Sequence, residues 1–123
     1  MTHHFTNFLS ATTIIGDKVK NDKGENLGKI EDLMINLGSA RVSYAVLSFG
    51  GILGLGDKYF AIPMEALVVD PKNKEFILNV PKEKLDEAHG FDKDNWPNMA
   101  DRKWETGIYS HYDYKPYWED SSL

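Results

Sequence analysis

Two short apolar runs stand out in the hydrophobic pattern, and a glycine-rich connector lies between them. Residues 42–49 and 59–62 are rich in β-branched and aromatic side chains, which is typical of buried strands. The connector has glycines at positions 50, 51, 54 and 56, where backbone angles that other residues avoid become accessible. Because residues 42–49 are apolar on both faces, one face is expected to fill a core and the other to need a cover. That cover is either the C-terminal segment or another protein.

The rest of the first 90 residues predicts short strands joined by tight turns. A hairpin is expected from Ile14 through the polar turn 21–26. Beyond it the alternation slips by one position at Glu31-Asp32, which predicts a β-bulge. A single helical turn, a second hairpin and a short helix are expected at residues 63–67, 67–80 and 81–88. About six short strands without long connecting helices indicate an all-β barrel or roll.

The composition changes near Gly90. Eight of the fifteen aromatic side chains, including all three tryptophans, lie after it. We therefore expect a flexible N-terminal arm at residues 1–12, a barrel domain at 13–90 and an aromatic-rich C-terminal extension at 91–123. Helical spacing within residues 99–108 predicts a helix there. The extension is expected to pack on the barrel or on a second subunit, or to become ordered on a separate partner.

Composition and charge restrict the classes of function that are compatible with the chain. The chain of 123 residues is 41% hydrophobic and 27% charged, as expected of one soluble domain. Its net charge of −5 disfavours capture of nucleic acid. It has no cysteine, which excludes disulfides, thiolate metal sites and a cysteine nucleophile. No apolar run reaches the length of a membrane span and no signal peptide is apparent, so a cytoplasmic location is expected.

Candidate chemical motifs are incomplete. The connector has the glycine spacing of a phosphate-binding loop, but Asp57 stands in the position of its lysine and a strand follows instead of a helix. His3-His4 lacks a third metal ligand. The carboxylate pairs Glu31-Asp32 and Glu119-Asp120 are interpreted as solvated turns. We assign no catalytic residue, no metal ligand and no cofactor.

In combination, several segments resemble the PRC-barrel family. They are residues 15–19, 24–33, 44–51, 56–63 and 65–67, and the resemblance covers roughly residues 13–90. It implies a small six-stranded β-barrel, here with a short helix and the aromatic-rich extension. The family includes the cytoplasmic domain of the H subunit of photosynthetic reaction centres and the C-terminal domain of the ribosome-maturation factor RimM. The resemblance therefore implies an adaptor that docks on other proteins. A link to photosynthetic electron transport and association with a membrane complex are among the roles that it implies.

The hypothesis from sequence is a non-catalytic protein–protein interaction module that forms a homodimer. The residues expected to bind the partner are apolar side chains of the connector and the three tryptophans, namely Phe49, Ile52, Leu53, Leu55, Trp96, Trp104 and Trp118. The alternatives are a small-ligand or metal-binding protein, a hydrolase built from histidine and carboxylate residues, and a factor associated with ribosomes or RNA processing.

Overall fold

The structure, a computed structural model, describes residues 8–50, 57–70, 72–88, 90–116 and 118. The six strands are β1 (Lys18–Lys20), β2 (Asn26–Asn36), β3 (Arg41–Gly50), β4 (Asp57–Pro63), β5 (Leu67–Asp70) and β6 (Glu75–Leu78). The helices are α1 (Ala11–Ile14), α2 (Lys82–Asp86) and α3 (Arg102–His111), and a 3-10 turn, Met64–Ala66, joins β4 to β5. The expected second hairpin and the helical turn before it are thus confirmed.

The six strands form one curled sheet with the order β4-β3-β2-β1-β6-β5. Neighbouring strands are antiparallel, except that β1 and β6 run parallel. The sheet curls into a half-barrel, and the short connections leave room for few helices. This mostly-β architecture confirms the fold predicted from the strand pattern.

A bulge in β2 lies where the alternation slips. Ile30 pairs with Leu47, but the next pair of the ladder is Asp32 with Val46, so Glu31 is the extra residue. An extra residue bends its strand and increases the local twist. The bend predicted from the sequence is therefore present, and it helps the sheet to curl.

Both faces of β3 are buried, as its apolar pattern predicts. Side chains from five of the strands and from α2 form the best-buried part of the core, which includes Val19, Leu27, Ile30, Leu47, Ile62, Phe76, Leu78 and Leu85. The C-terminal segment packs against Tyr44, whose ring meets those of Trp104 and Tyr109 edge-on at centroid distances of 5.4 and 5.9 Å. The cover that this part of the sheet needs thus comes from the same chain.

The N-terminal boundary of the first hairpin differs from expectation. The sequence suggests extended structure from Ile14, whereas residues 11–14 form the one-turn helix α1 and β1 begins at Lys18. The Ser10 side chain accepts a hydrogen bond from the backbone N–H of Thr13, which caps the turn. Ile14 still enters the core, but from a helix.

Candidate functional site

The residues expected to bind a partner lie at separate places in the fold. Ile52, Leu53 and Leu55 fall outside the described residues. Phe49 is half-buried, and the ammonium of Lys82 lies 5.4 Å from the centre of its ring. Phe49 therefore packs at the start of α2, while the three tryptophans belong to two other aromatic clusters.

The first aromatic cluster holds Trp96 beside β4. Phe91 forms a single antiparallel bridge with Tyr59 through two backbone hydrogen bonds of 2.9 Å. The Trp96 ring packs on both aromatic rings, with centroids 5.9 Å from Tyr59 and 5.1 Å from Phe91. Its indole N–H donates to the Lys93 carbonyl, so the position of Trp96 is fixed within its own chain.

The second aromatic cluster joins α3 to β3. Trp104 contacts Tyr44, and Trp118 contacts Tyr109 with ring centroids 5.4 Å apart. The guanidinium of Arg102 stacks over Trp118 at 3.9 Å from the ring centre. Trp104 and Trp118 thus lie against their own chain, and their binding of a partner stays a prediction.

Leu37 was not among the partner-binding residues expected from the sequence. It is the most exposed large apolar side chain among the described residues of the sheet and its turns. Leu37 is 88% exposed in the turn between β2 and β3, and Ile35 at the end of β2 is 59% exposed. The Asn36 side chain accepts hydrogen bonds from the backbone N–H groups of Gly38 and Ser39, and Ala40 has a φ of 56°. This tight turn holds Leu37 in solvent.

A groove of about 330 Å³ lies beside this turn, between the β2–β3 hairpin and the start of α3. Met34 and Met99 are half-buried in its wall, next to the buried carboxylate of Glu105. The Tyr44 hydroxyl donates to Glu105 Oε2 at 3.2 Å, and Arg102 lies 3.7 Å from Oε1. We call this groove, together with Ile35 and Leu37, the hairpin-end surface. Methionine side chains adapt to differently shaped partners, so the surface suits protein contact.

A second groove, of about 420 Å³, opens over β1 and β2. Its lining includes Lys18, Lys20 and Lys29, together with Ser48 of β3. The Ser48 hydroxyl is buried and forms no hydrogen bond with any described residue. We call this second groove the lysine groove. Its lining carries positively charged lysines, whereas the whole chain has a net charge of −5.

Among the described residues, two groups have clearly shifted pKa values, and neither of them lines the hairpin-end groove or the lysine groove. A hydrogen bond from the Asn73 side chain, with help from backbone N–H groups, lowers the pKa of Asp70 in the turn between β5 and β6. Burial raises the pKa of Tyr112, just after α3, well above its ordinary value. Both pKa shifts arise from the local surroundings of the side chain, namely hydrogen bonds at Asp70 and burial at Tyr112.

The described residues include no helix that is both long and apolar enough to cross a membrane. In the same part of the chain, no three histidine or carboxylate side chains come together in a way that could hold a metal ion. His3 and His4 lie outside the described residues.

The curled six-stranded sheet with short connections defines a small domain of the β-barrel class. The PRC-barrel domain pattern matches residues 6–85. The chain belongs to the PRC-barrel family, in agreement with the resemblance noted from its sequence. No curated protein matches the chain significantly.

Proposed function

We propose that this chain is a non-catalytic interaction module that binds another protein through the hairpin-end surface. The exposure of Leu37 and Ile35 beside a methionine-lined groove is the observation that carries the proposal. Contiguous apolar side chains in water mark interaction sites more often than isolated ones do. The PRC-barrel fold supports the same class of function.

The energetics favour a contact that uses the groove as well as the turn. Burying one large aliphatic side chain contributes about 1.5–3 kcal/mol. Association itself costs several kcal/mol in lost translational and rotational freedom, about 4 kcal/mol or more. Ile35 and Leu37 alone therefore give weak binding. A partner that also fills the space between Met34 and Met99 gains the additional burial that a stable contact needs.

A non-catalytic role is supported by the state of the groove serines. Ser43 lines the hairpin-end groove and Ser48 lines the lysine groove. Neither hydroxyl has a hydrogen-bond partner among the described residues. A serine nucleophile requires a base within hydrogen-bonding reach to remove its proton. Within the part of the chain that the structure describes, these serines therefore lack the activation that a hydrolase needs.

The finer parts of the proposal concern the partner. We propose a cytoplasmic partner protein, for which a membrane complex of the reaction-centre kind is one candidate and a second copy of this chain another. The second apolar face of β3, for which a second subunit was one expected cover, is covered at Tyr44 by Trp104 of the chain's own α3. We therefore propose that self-association uses the hairpin-end surface or the connector. A ribosomal partner is the remaining alternative.

The test compares two matched substitutions, Leu37→Asp and Val68→Asp. Val68 on β5 is a good control because it is also apolar and is 61% exposed, but it lies outside the hairpin-end surface. The tagged full-length chain is used to capture partners from its native host, and light scattering after gel filtration gives its oligomeric state. Circular dichroism checks that both variants are folded.

We expect Leu37→Asp to abolish capture of the specific partner, or formation of the dimer. Val68→Asp should behave like the wild type in both measurements. If the wild type and Val68→Asp capture ribosomal proteins and Leu37→Asp does not, the partner is ribosomal. Equal partner capture and oligomeric state in both variants and the wild type would overturn the assignment of this surface.

A further inference from the structure

Two lysines and a serine form a row across three strands in the lysine groove. The sheet register pairs Lys18 of β1 with Lys29 of β2, and Lys29 with Ser48 of β3. Residues directly opposite each other in a ladder project from the same face, with Cβ atoms about 4.5–5.5 Å apart. The row therefore places two lysines and a buried serine on a single face of the sheet.

The charge of this row is not balanced within the described part of the chain. Like charges directly opposite each other on antiparallel strands destabilise the pair. The neighbouring Lys20 lies 3.2 Å from a carboxylate oxygen of Glu75, which neutralises it. Neither Lys18 nor Lys29 is in an ion pair with any described residue. A bound anion would relieve the repulsion between them.

The serine at the end of the row supplies a further unused polar group. Ser48 is only 2% exposed, and its hydroxyl has no hydrogen-bond partner among the residues described. A buried hydroxyl without a partner costs free energy, about 1–3 kcal/mol. The cost would be recovered if a ligand in the groove reached this hydroxyl and accepted a hydrogen bond from it. Gly28 also lines the groove, and its lack of a side chain lets the Ser48 backbone carbonyl approach β2 closely.

We propose that the lysine groove binds an anion of the phosphate class, with Lys18, Lys29 and Ser48 as its donors. A phosphate group has three or more acceptor oxygens in a tetrahedral arrangement, so it can accept from two ammonium groups and a hydroxyl at once. The groove is open and of the volume that small ligands occupy. This site is separate from the hairpin-end surface, so it stands or fails independently of the proposed function.

The phosphate group has two possible sources, a free phosphorylated molecule or the headgroup of an anionic phospholipid. The same donors would serve for either source. Binding to inorganic phosphate tests the first source. Co-sedimentation with phosphatidylcholine vesicles, with and without phosphatidic acid, tests the second.

The experiment uses the full chain and follows backbone amide NMR shifts during titration with sodium phosphate at constant ionic strength. Sodium chloride is the reference titration. Three variants remove one donor each, Lys18→Gln, Lys29→Gln and Ser48→Ala. Lys103→Gln is the control, because it removes the same charge from an exposed position on α3. The same four variants are used for co-sedimentation.

We expect saturable shifts around residues 18, 29 and 48 with phosphate, or co-sedimentation that requires phosphatidic acid. Each lysine substitution should weaken binding roughly tenfold or more, since a hydrogen bond to a charged group is lost. Ser48→Ala should weaken it by a smaller factor, and Lys103→Gln should leave it unchanged. Binding that Lys103→Gln weakens equally, or that chloride reproduces, would reduce the effect to non-specific charge and overturn the proposal. The absence of binding in both assays would also overturn it.

Discussion

The Tyr44 hydroxyl donates a hydrogen bond to Glu105 Oε2 at 3.2 Å, joining β3 to a helix 61 positions further along the chain. Both residues are buried, and Glu105 is only 6% exposed. Burying a carboxylate is unfavourable unless it is hydrogen-bonded or paired with a cation. Tyr44 and Arg102 supply both kinds of contact, so the Tyr44–Glu105 pair anchors α3 on the sheet.

The first prediction concerns the coupling of this pair. Tyr44→Phe removes the donor and leaves the buried carboxylate less well satisfied, which should lower the free energy of unfolding by about 1–3 kcal/mol. Glu105→Gln removes the charge and should cost a similar amount, roughly 1–3 kcal/mol. Because the residues interact directly, the double variant should cost less than the sum of the two single variants. Urea denaturation of the four proteins measures the coupling, and additive costs would contradict it.

The second prediction separates stability from partner binding at Trp104. Its ring packs on Tyr44, so Trp104→Ala should destabilise the protein by roughly 2–3 kcal/mol, somewhat less than for a fully buried tryptophan. Lys103→Ala at the adjacent exposed position is the control and should be nearly neutral. Thermal and urea unfolding give the difference. Unchanged stability in Trp104→Ala would show that its ring is not held on the sheet and is available to a partner.

Much of the fold was predictable because burial leaves a period in the sequence. The apolar run of residues 42–49 predicted β3, and the slip at Glu31-Asp32 located the bulge in β2. Ile14 was misassigned because a four-residue helix is too short to show a helical period. Its signal is the capping serine, Ser10, which is a weak predictor by itself.

The candidate surfaces were harder to predict because they depend on tertiary placement. Glu105 has the sequence context of an ordinary helix-surface residue, and only its contact with Tyr44 shows that it is buried. The pairing of Lys18 with Lys29 depends on the register of β1 and β2, which also shifts between Val19 and Lys20. Leu37 did leave a signal, since it is apolar within an otherwise polar turn.

The third prediction concerns two glycines that both have positive φ angles. Gly28 has a φ of 107° and Gly24 a φ of 82°. A Cβ atom on Gly28 would overlap the Ser48 carbonyl oxygen, whereas one on Gly24 would meet no atom within 4 Å among the described residues. Gly24→Ala should therefore cost about 1–2 kcal/mol from backbone strain alone. Gly28→Ala should cost at least about 2 kcal/mol more, because β2 and β3 would have to separate.

Urea denaturation of both alanine variants tests this comparison, and it needs no knowledge of the ligand or partner. Equal destabilisation would show that the close approach of β2 to the Ser48 carbonyl is absent in solution. If Gly28→Ala does not fold, Gly24→Ala still tests the prediction, because this variant should fold and lose only about 1–2 kcal/mol of stability.

The fourth prediction is a change in stability at alkaline pH that originates at Tyr112. Its hydroxyl is buried without a hydrogen-bond partner among the described residues, and burial raises its pKa in the folded state. The folded state therefore favours the neutral phenol more strongly than the unfolded state does, whose pKa is about 10. The resulting stabilisation is complete below that pH and is lost as the pH rises towards the folded-state pKa.

Tyr112→Phe removes this titration together with the unpaired hydroxyl. At neutral pH the variant should be as stable as the wild type or more stable, by up to about 1 kcal/mol. Above pH 10 the wild type should lose stability relative to the variant by about 1.4 kcal/mol per pH unit. Other tyrosines titrate in both proteins, so the difference between the two free energies of unfolding isolates Tyr112. Urea denaturation at several pH values provides this difference, and parallel curves from neutral to alkaline pH would show that the Tyr112 hydroxyl is hydrated in the folded protein.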